Sequence, residues 1–265
     1  MKKYLEIFWL TNKMWFQSEI AYRVEVIFLF LNTLVLIAAT VILYVLIFSQ
    51  TTTVGDWDLT SMFYLFAVGN VVVSVYTMFA WGPIYHQFRP AIKTGKLDIF
   101  LLKPMSPGFL VLTGRFDLSG FARFVPSLGL LIYLLWTSPV QASATQIITF
   151  FIFLLTGMGL LYLLIFLIYV AGFWTTSTDY FHHLAWSFIS ATSQPTSVFP
   201  KLVFGIFSTI LPVAFAAVIP VRILVGLEPV TLQAYVGLIV ILLFFGLISG
   251  FAWNRGLRRY GSVSS

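Results

Sequence analysis

The sequence contains no cysteine, so disulfides, thiol nucleophiles and thiolate metal sites are excluded. Charge is nearly as scarce. Only 9% of the 265 residues are Asp, Glu, Lys or Arg, against about 25% in a soluble domain, and a chain this poor in charge cannot cover its surface for water. Short alternating segments, the mark of an outer-membrane barrel, are missing too. What is present is apolar: 60% of residues, a mean hydropathy of +0.97, and uninterrupted blocks each near the ~20 residues that cross a hydrocarbon core as a helix. These observations define an all-α, polytopic membrane protein. Its formal charge of +6 sits on flanks and in one loop, which fits anchoring against anionic membrane lipid and not a nucleic-acid groove. No nucleic-acid partner is expected. The start, MKKYLEIFWLTNKMWF, is broken by Glu6, Asn12, Lys13 and Gln17 and lacks a small-residue cleavage site, so it is not expected to be a signal peptide.

Residues 1–23 read as an interfacial elbow whose helix covers about 2–20. Lys3, Glu6, Lys13 and Gln17 recur near helical spacing on one side, with Leu5, Phe8, Trp9, Trp15, Phe16 and Ile20 over much of the rest. Six spans are expected, at about 24–48, 59–81, 118–136, 147–174, 178–196 and 231–253, the fourth long enough to tilt. A basic loop at about 84–117 separates the second from the third. Between the fifth and sixth, the chain up to Leu227 is divided by Gln194-Pro195, Phe199-Pro200-Lys201, Pro212 and Pro220. Prolines end helices or force turns. Two short apolar helices at about 200–211 and 213–226 suit a re-entrant hairpin, tolerated only where it is buried in protein or lines a cavity. The whole chain, 1–265, reads as a single transmembrane domain.

With the N-terminus inside, the basic residues segregate. Lys2, Lys3, Lys13 and Arg23, then Arg89, Lys93, Lys96, Lys103, Arg115 and Arg123, then Arg255, Arg258 and Arg259 share one side, and only Lys201 and Arg222 fall on the other. This places both termini in the cytoplasm of a multi-pass protein of the inner (plasma) membrane. An extra crossing at the hairpin would destroy the asymmetry.

No nucleotide-binding motif is present. Gly95-Lys96 is the one place a phosphate loop could end, but Pro90 stands where its first glycine belongs and Leu97 where its Ser/Thr belongs. No ionisable residue lies mid-membrane; Glu25 and Asp179 sit near span ends. Ion-coupled carriers place such a residue there, because it is costly and retained for a purpose. The energy for transport is therefore expected from outside the membrane. The loop FRPAIKTGKLDIFLLKPMSPG is where it would enter: Arg89 to Lys93 forms one short helix capped by Gly95, and Lys96 to Leu102 forms a second stopped by Lys103-Pro104. Its basic residues accompany an exposed-looking apolar set, Leu97, Ile99, Phe100, Leu101 and Leu102. Docking to a soluble partner and contact with lipid both account for that pattern.

Other features carry less. Adjacent His182 and His183 point to different helix faces and, with Asp179, read as interfacial polar residues, not a metal cluster; no metal or cofactor is expected in this chain. Gly246 and Gly250 form a small-xxx-small pair whose default role is helix packing. Asn70 and Ser74 share a face of the second span and Asn32 marks the first with Thr33; they either line a pathway or hydrogen-bond between helices.

Two segments carry a family likeness. TGKLDIFLLKPMSPGFLVLTGRFDLS resembles the cytoplasmic stretch of a bacterial branch of ABC type-2 exporter permeases, and QPTSVFPKLVFGIFSTILPVAFAAVIPVRILVG resembles that branch's fifth-span exit and re-entrant hairpin. The likeness runs through nearly the whole chain in span order. It implies a dimer of permease chains, identical or related, each docked on a soluble ATP-binding-cassette ATPase subunit that binds the ATP and Mg. It also implies a coupling element near 89–104, with Arg89, Lys93, Lys96, Leu97, Asp98, Phe100, Leu101 and Lys103, and an outer gate at 200–226, with Pro200, Pro212, Phe215, Pro220 and Arg222.

Rival classes fit less well. A membrane enzyme needs convergent acids, histidines or metal ligands, and a channel or secondary carrier needs a polar track along its spans. A purely structural role leaves the proline-broken hairpin unexplained. Aromatic residues make up 18% of the chain, 28 of them Phe, so a path through it would suit amphipathic, aromatic or drug-like small molecules, including delocalised cations.

Overall fold

The computed structural model describes residues 2–19, 23–113, 117–138, 140–175, 179–195, 205 and 212–260. Helices account for nearly all of them, and no strand occurs among them. The first helix, α1 (Lys2–Glu19), covers the segment expected to be an amphipathic elbow. Tyr4 meets Phe109 edge-on at 4.8 Å, and the Asn12 side-chain amide donates to the carbonyls of Phe8 at 2.8 Å and Thr113 at 3.2 Å. Trp9, Leu10 and Met14 remain exposed on the opposite side.

Among the described residues, five helices are long and apolar enough to cross a membrane. The first is α2 (Arg23–Gln50). The second begins as α3 (Leu59–Tyr76), whose N-cap carboxylate Asp58 accepts from the Ser61 N–H. It continues without a break through a π-helical stretch, Thr77–Phe88, into α4 (Arg89–Thr94). The short α5 (Asp98–Leu101) and α6 (Pro107–Thr113) follow. The third crossing is α7 (Leu118–Thr137), capped by Asp117. The fourth is α8 (Ala144–Val170), opened by a reciprocal Ser143–Gln146 capping box and extended by a 3-10 turn at Ala171–Phe173. After α9 (Asp179–Ala191), a 3-10 turn at Ala214–Ala216 and α10 (Val218–Leu224), the fifth is α11 (Leu232–Arg259).

Two sequence expectations change. The second span does not give way to a loop at 84: the helix runs on to Thr94, a rod of 36 residues. Pro83 explains its form. Proline lacks an N–H, and in an α-helix its ring would collide with the carbonyl four residues back. Here the helix widens, so that the Arg89 N–H reaches Ile84, five residues back. The Met78 carbonyl, five residues before the proline, takes its hydrogen bond from the Asp117 N–H at 3.0 Å. The second change concerns the expected fifth span. Its described part is α9, 13 residues long and so about 20 Å, short of a ~30 Å hydrocarbon core by itself. The residues that would prolong it beyond Pro195 lie outside those described.

The rod is the centre of the bundle and the most buried of the five long helices; α2 is the least. The connections cluster at two ends. At one, Tyr64 donates to the Ser138 carbonyl at 2.9 Å, Gln146 to that of Ile223 at 3.2 Å, and Arg222 meets Asp56. We call this the Arg222 end. At the other, Phe88, Phe166, Phe173 and Trp253 pack ring against ring at 5.6–5.9 Å, beside α1 and α4 to α6. This is the Gly95 end.

Candidate functional site

At the Gly95 end the rod terminates in a hook. Gly95 takes the left-handed conformation, φ 75°, which a side chain would resist, and the chain turns back so that the Leu97 N–H bonds the Ala91 carbonyl at 3.2 Å. Leu97 and Ala91 are buried beneath the turn. Leu97 is thus not part of an exposed apolar set: it is the pin that fixes α5 to the rod. From there the side chains divide by helical spacing. Lys96, Ile99, Phe100 and Lys103 face a cleft shared with α1, and the Lys103 ammonium lies 5.6 Å over the Phe100 ring. Leu101 and Leu102 point away, Leu102 being 85% exposed. Asp98 lies beside Tyr260 at the foot of α11; burial lifts the Tyr260 phenol above its ordinary value, and the Asp98 carboxylate adds to the rise. Arg89 sits 4.9 Å over the Tyr85 ring, and Lys93 is exposed one turn further on.

Of the expected hairpin, only residue 205 and the chain from 212 onward are described; Pro200 and Lys201 lie outside the described residues. Pro212 is buried, and in place of one helix over 213–226 the chain forms the Ala214–Ala216 turn and then α10. Pro220 occupies the first turn of α10, where no intrahelical partner for its N–H is needed. Phe215 packs on Phe153 of α8 with ring centroids 6.2 Å apart. The approach depends on Gly157: a Cβ there would overlap the Phe215 carbonyl and come within 2.9 Å of the Ala216 nitrogen. Gly157 lies about halfway down α8, whereas Ile223 reaches the Gln146 amide at its first turn. The segment 212–224 therefore climbs from mid-height to the Arg222 end, wedged between α3 and α8.

Arg222 finishes this segment as a clasp. Its guanidinium bonds Asp56 in the α2–α3 connection and, at 3.1 Å, Glu228 beyond α10, and it lies 5.8 Å over the ring of fully buried Trp57. Charge-assisted bonds of this kind are about twice as strong as neutral ones. The Arg222 side chain is 12% exposed, so its partners are not interchangeable with water.

Asn70, Ser74 and Thr33 each donate a side-chain hydrogen bond within their own helix. Asn70 donates to the Phe66 carbonyl at 2.8 Å, Ser74 to that of Asn70 at 2.6 Å and Thr33 to that of Leu29 at 2.8 Å. Ser74 is buried and Asn32 exposed, so the structure does not bring Asn32, Asn70 and Ser74 together on one surface. Gly246 and Gly250 face open space within this chain. His182 stacks among aromatic rings, 4.9 Å from Trp81 and 4.8 Å from Tyr85, and no metal-capable group of three His, Asp or Glu side chains occurs among the described residues. The ring cluster, the Gly157 contact and the Arg222 clasp escaped sequence reasoning. Only the clasp leaves a trace there, as one cation and two carboxylates in neighbouring loops.

Compared with known proteins, residues 34–264 match the family model described as ABC-2 family transporter protein. No curated protein and no solved structure matches the chain.

Proposed function

The chain belongs to the ABC-2 family of transporter proteins, and from that premise we propose that it is the permease subunit of an exporter driven by a separate ATP-binding-cassette ATPase. The observation that carries this reading is the rod Leu59–Thr94. It joins the hook at the Gly95 end to the α2–α3 connection that holds Arg222 through Asp56. Leu101 and Leu102 offer an apolar tip to a soluble partner, and Leu97 locks that tip to the rod. Motion of the partner on ATP binding would be passed along about 50 Å of continuous helix. A lever needs that stiffness; a loop at 84–94 would absorb the push.

In this reading the Gly95 end and both termini are cytoplasmic, and the chain sits in the inner membrane with a second permease chain beside it. Six spans and a re-entrant hairpin complete the fold, with α9 in the fifth crossing. ATP and Mg are bound by the partner. The hairpin around Pro212, Phe215 and Pro220 is the outer gate, latched by Arg222, and its release opens a path between the two permeases for an amphipathic or drug-like compound. The test joins topology to docking. Single cysteines at Ser138, Gly95 and Ser264 of this cysteine-free chain are treated with an impermeant thiol reagent in intact cells; only the Ser138 site reacts. The ATPase co-purifies with the wild type and is lost from Leu101→Asp/Leu102→Asp. Labelling at Gly95 or Ser264, or undiminished co-purification, refutes the reading.

A further inference from the structure

The cleft between α1 and the hook encloses about 640 Å³, within the range of ligand sites. It carries Lys96 and Lys103 and no carboxylate among its lining residues, and neither lysine forms an ion pair among the described residues. It shares Phe8 and Thr113 with a second crevice of about 350 Å³, and that crevice shares Phe79 and Tyr162 with a third of about 70 Å³. The series narrows as it rises along the rod and α8, and its far end, at Val72 and Met158, is apolar. From Gln87, beside the lysines, to Val72 the rod rises by roughly 20 Å, about half of a bilayer of ~40–45 Å counted with its headgroup regions. A cationic mouth at headgroup level, followed by an apolar slot one leaflet deep, is the imprint of an amphiphile that carries a negative head.

We propose that this series of neighbouring crevices holds one anionic phospholipid of the adjacent leaflet, its phosphate between Lys96 and Lys103 and an acyl chain along Phe79 and Tyr162. Basic pockets between membrane helices on the cytoplasmic side bind such headgroups. The assignment of the leaflet rests on the cytoplasmic placement of the Gly95 end; the occupant does not. The lipid would fill the space between α1 and the hook, so that α1 and α5 move as one body when the tip at Leu101 and Leu102 is pushed.

The test uses the full-length permease, purified from membranes with its ATPase and placed in nanodiscs of phosphatidylglycerol and phosphatidylcholine in equal amounts. Lipid retained after delipidation is counted by native mass spectrometry. Wild type is expected to keep one phosphatidylglycerol per permease with at least fivefold preference over phosphatidylcholine. Lys96→Glu/Lys103→Glu loses that preference, and Lys96→Arg/Lys103→Arg keeps it. A photo-crosslinking residue at Thr11 captures the lipid, and one at Leu102, outside the cleft, does not. Equal retention of both lipids, a preference unchanged by charge reversal, or equal capture at 11 and 102 overturns the proposal. Thiol labelling of Gly95→Cys from outside would overturn the cytoplasmic placement alone and leave the retention result as the judge of the lipid site.

Discussion

Replacing Gly157 by alanine adds one methyl group at the point where the climbing segment leans on α8. The new Cβ overlaps the Phe215 carbonyl and sits 2.9 Å from the Ala216 nitrogen. Both are backbone atoms, so no side-chain rotation relieves the contact; the two backbones must part by roughly 1 Å, a gap that forfeits a quarter to a half of each van der Waals well along the seam. Overpacking of this kind costs about 1–3 kcal/mol, against a gain of about 1 kcal/mol from removing a glycine inside a helix. Gly159, two residues on, supplies the control, because nothing lies within 4 Å of its Cβ position. Gly159→Ala collects the helix gain alone. The two variants should therefore differ by about 1–3 kcal/mol, read as a difference of several degrees in the thermal melting of the purified permease. Gly157→Ala should also lower transport by the assembled complex, since the segment bearing Phe215 and Arg222 is displaced, while Gly159→Ala transports as wild type. Equal melting and equal transport for the two would refute the argument that the gate rests on α8 through this contact.

Three further outcomes follow from the hook, the clasp and the rod. Leu97→Ala empties a fully buried position and should destabilise the hook by about 2–5 kcal/mol, seen as protease cleavage between Thr94 and Lys103 at a concentration that spares the wild type. Arg222→Ala removes bonds to Asp56 and Glu228, each charged bond being worth about 1.5–3 kcal/mol. It should raise basal ATP hydrolysis by the complex while lowering transport per ATP, and a variant with wild-type stoichiometry would show that the clasp is no latch. Pro83→Ala restores a donor to the rod and lets the π stretch revert to α-helical spacing; the changed rotation of α4 should weaken ATPase docking in a pull-down, and docking at wild-type strength would show that the register of the rod does not matter.

Much of the fold was legible because apolar length is a direct physical requirement of a bilayer. The five long helices fall where unbroken apolar blocks stand in the sequence, and α1 shows its amphipathic spacing openly. The two helices of the hook were legible from Gly95 and Lys103-Pro104. What escaped is what depends on partners distant in the chain. A loop was expected from about 84, yet the helix runs on through Pro83 because the Asp117 N–H, arriving from beyond α6, satisfies the Met78 carbonyl that the proline strands. Leu97 looked exposed because the 99–102 run is too short to declare a face; its burial follows from the turn-back at Gly95. Gly157 carries no local signal at all, since its reason is the backbone of Phe215. The carbonyls one turn back that take the Asn70 and Ser74 side-chain hydrogen bonds carry no signal in the sequence either.

The central claim is that this chain moves a substrate with energy supplied by another protein. Its most direct test is transport into inside-out proteoliposomes holding the permease with and without its ATPase, using a fluorescent amphipathic cation as the probe. The account predicts uptake that needs ATP, Mg and the ATPase together, with no ATP hydrolysis by the permease alone. Uptake by the permease alone in response to an ion gradient, or ATP hydrolysis without the partner, would contradict it.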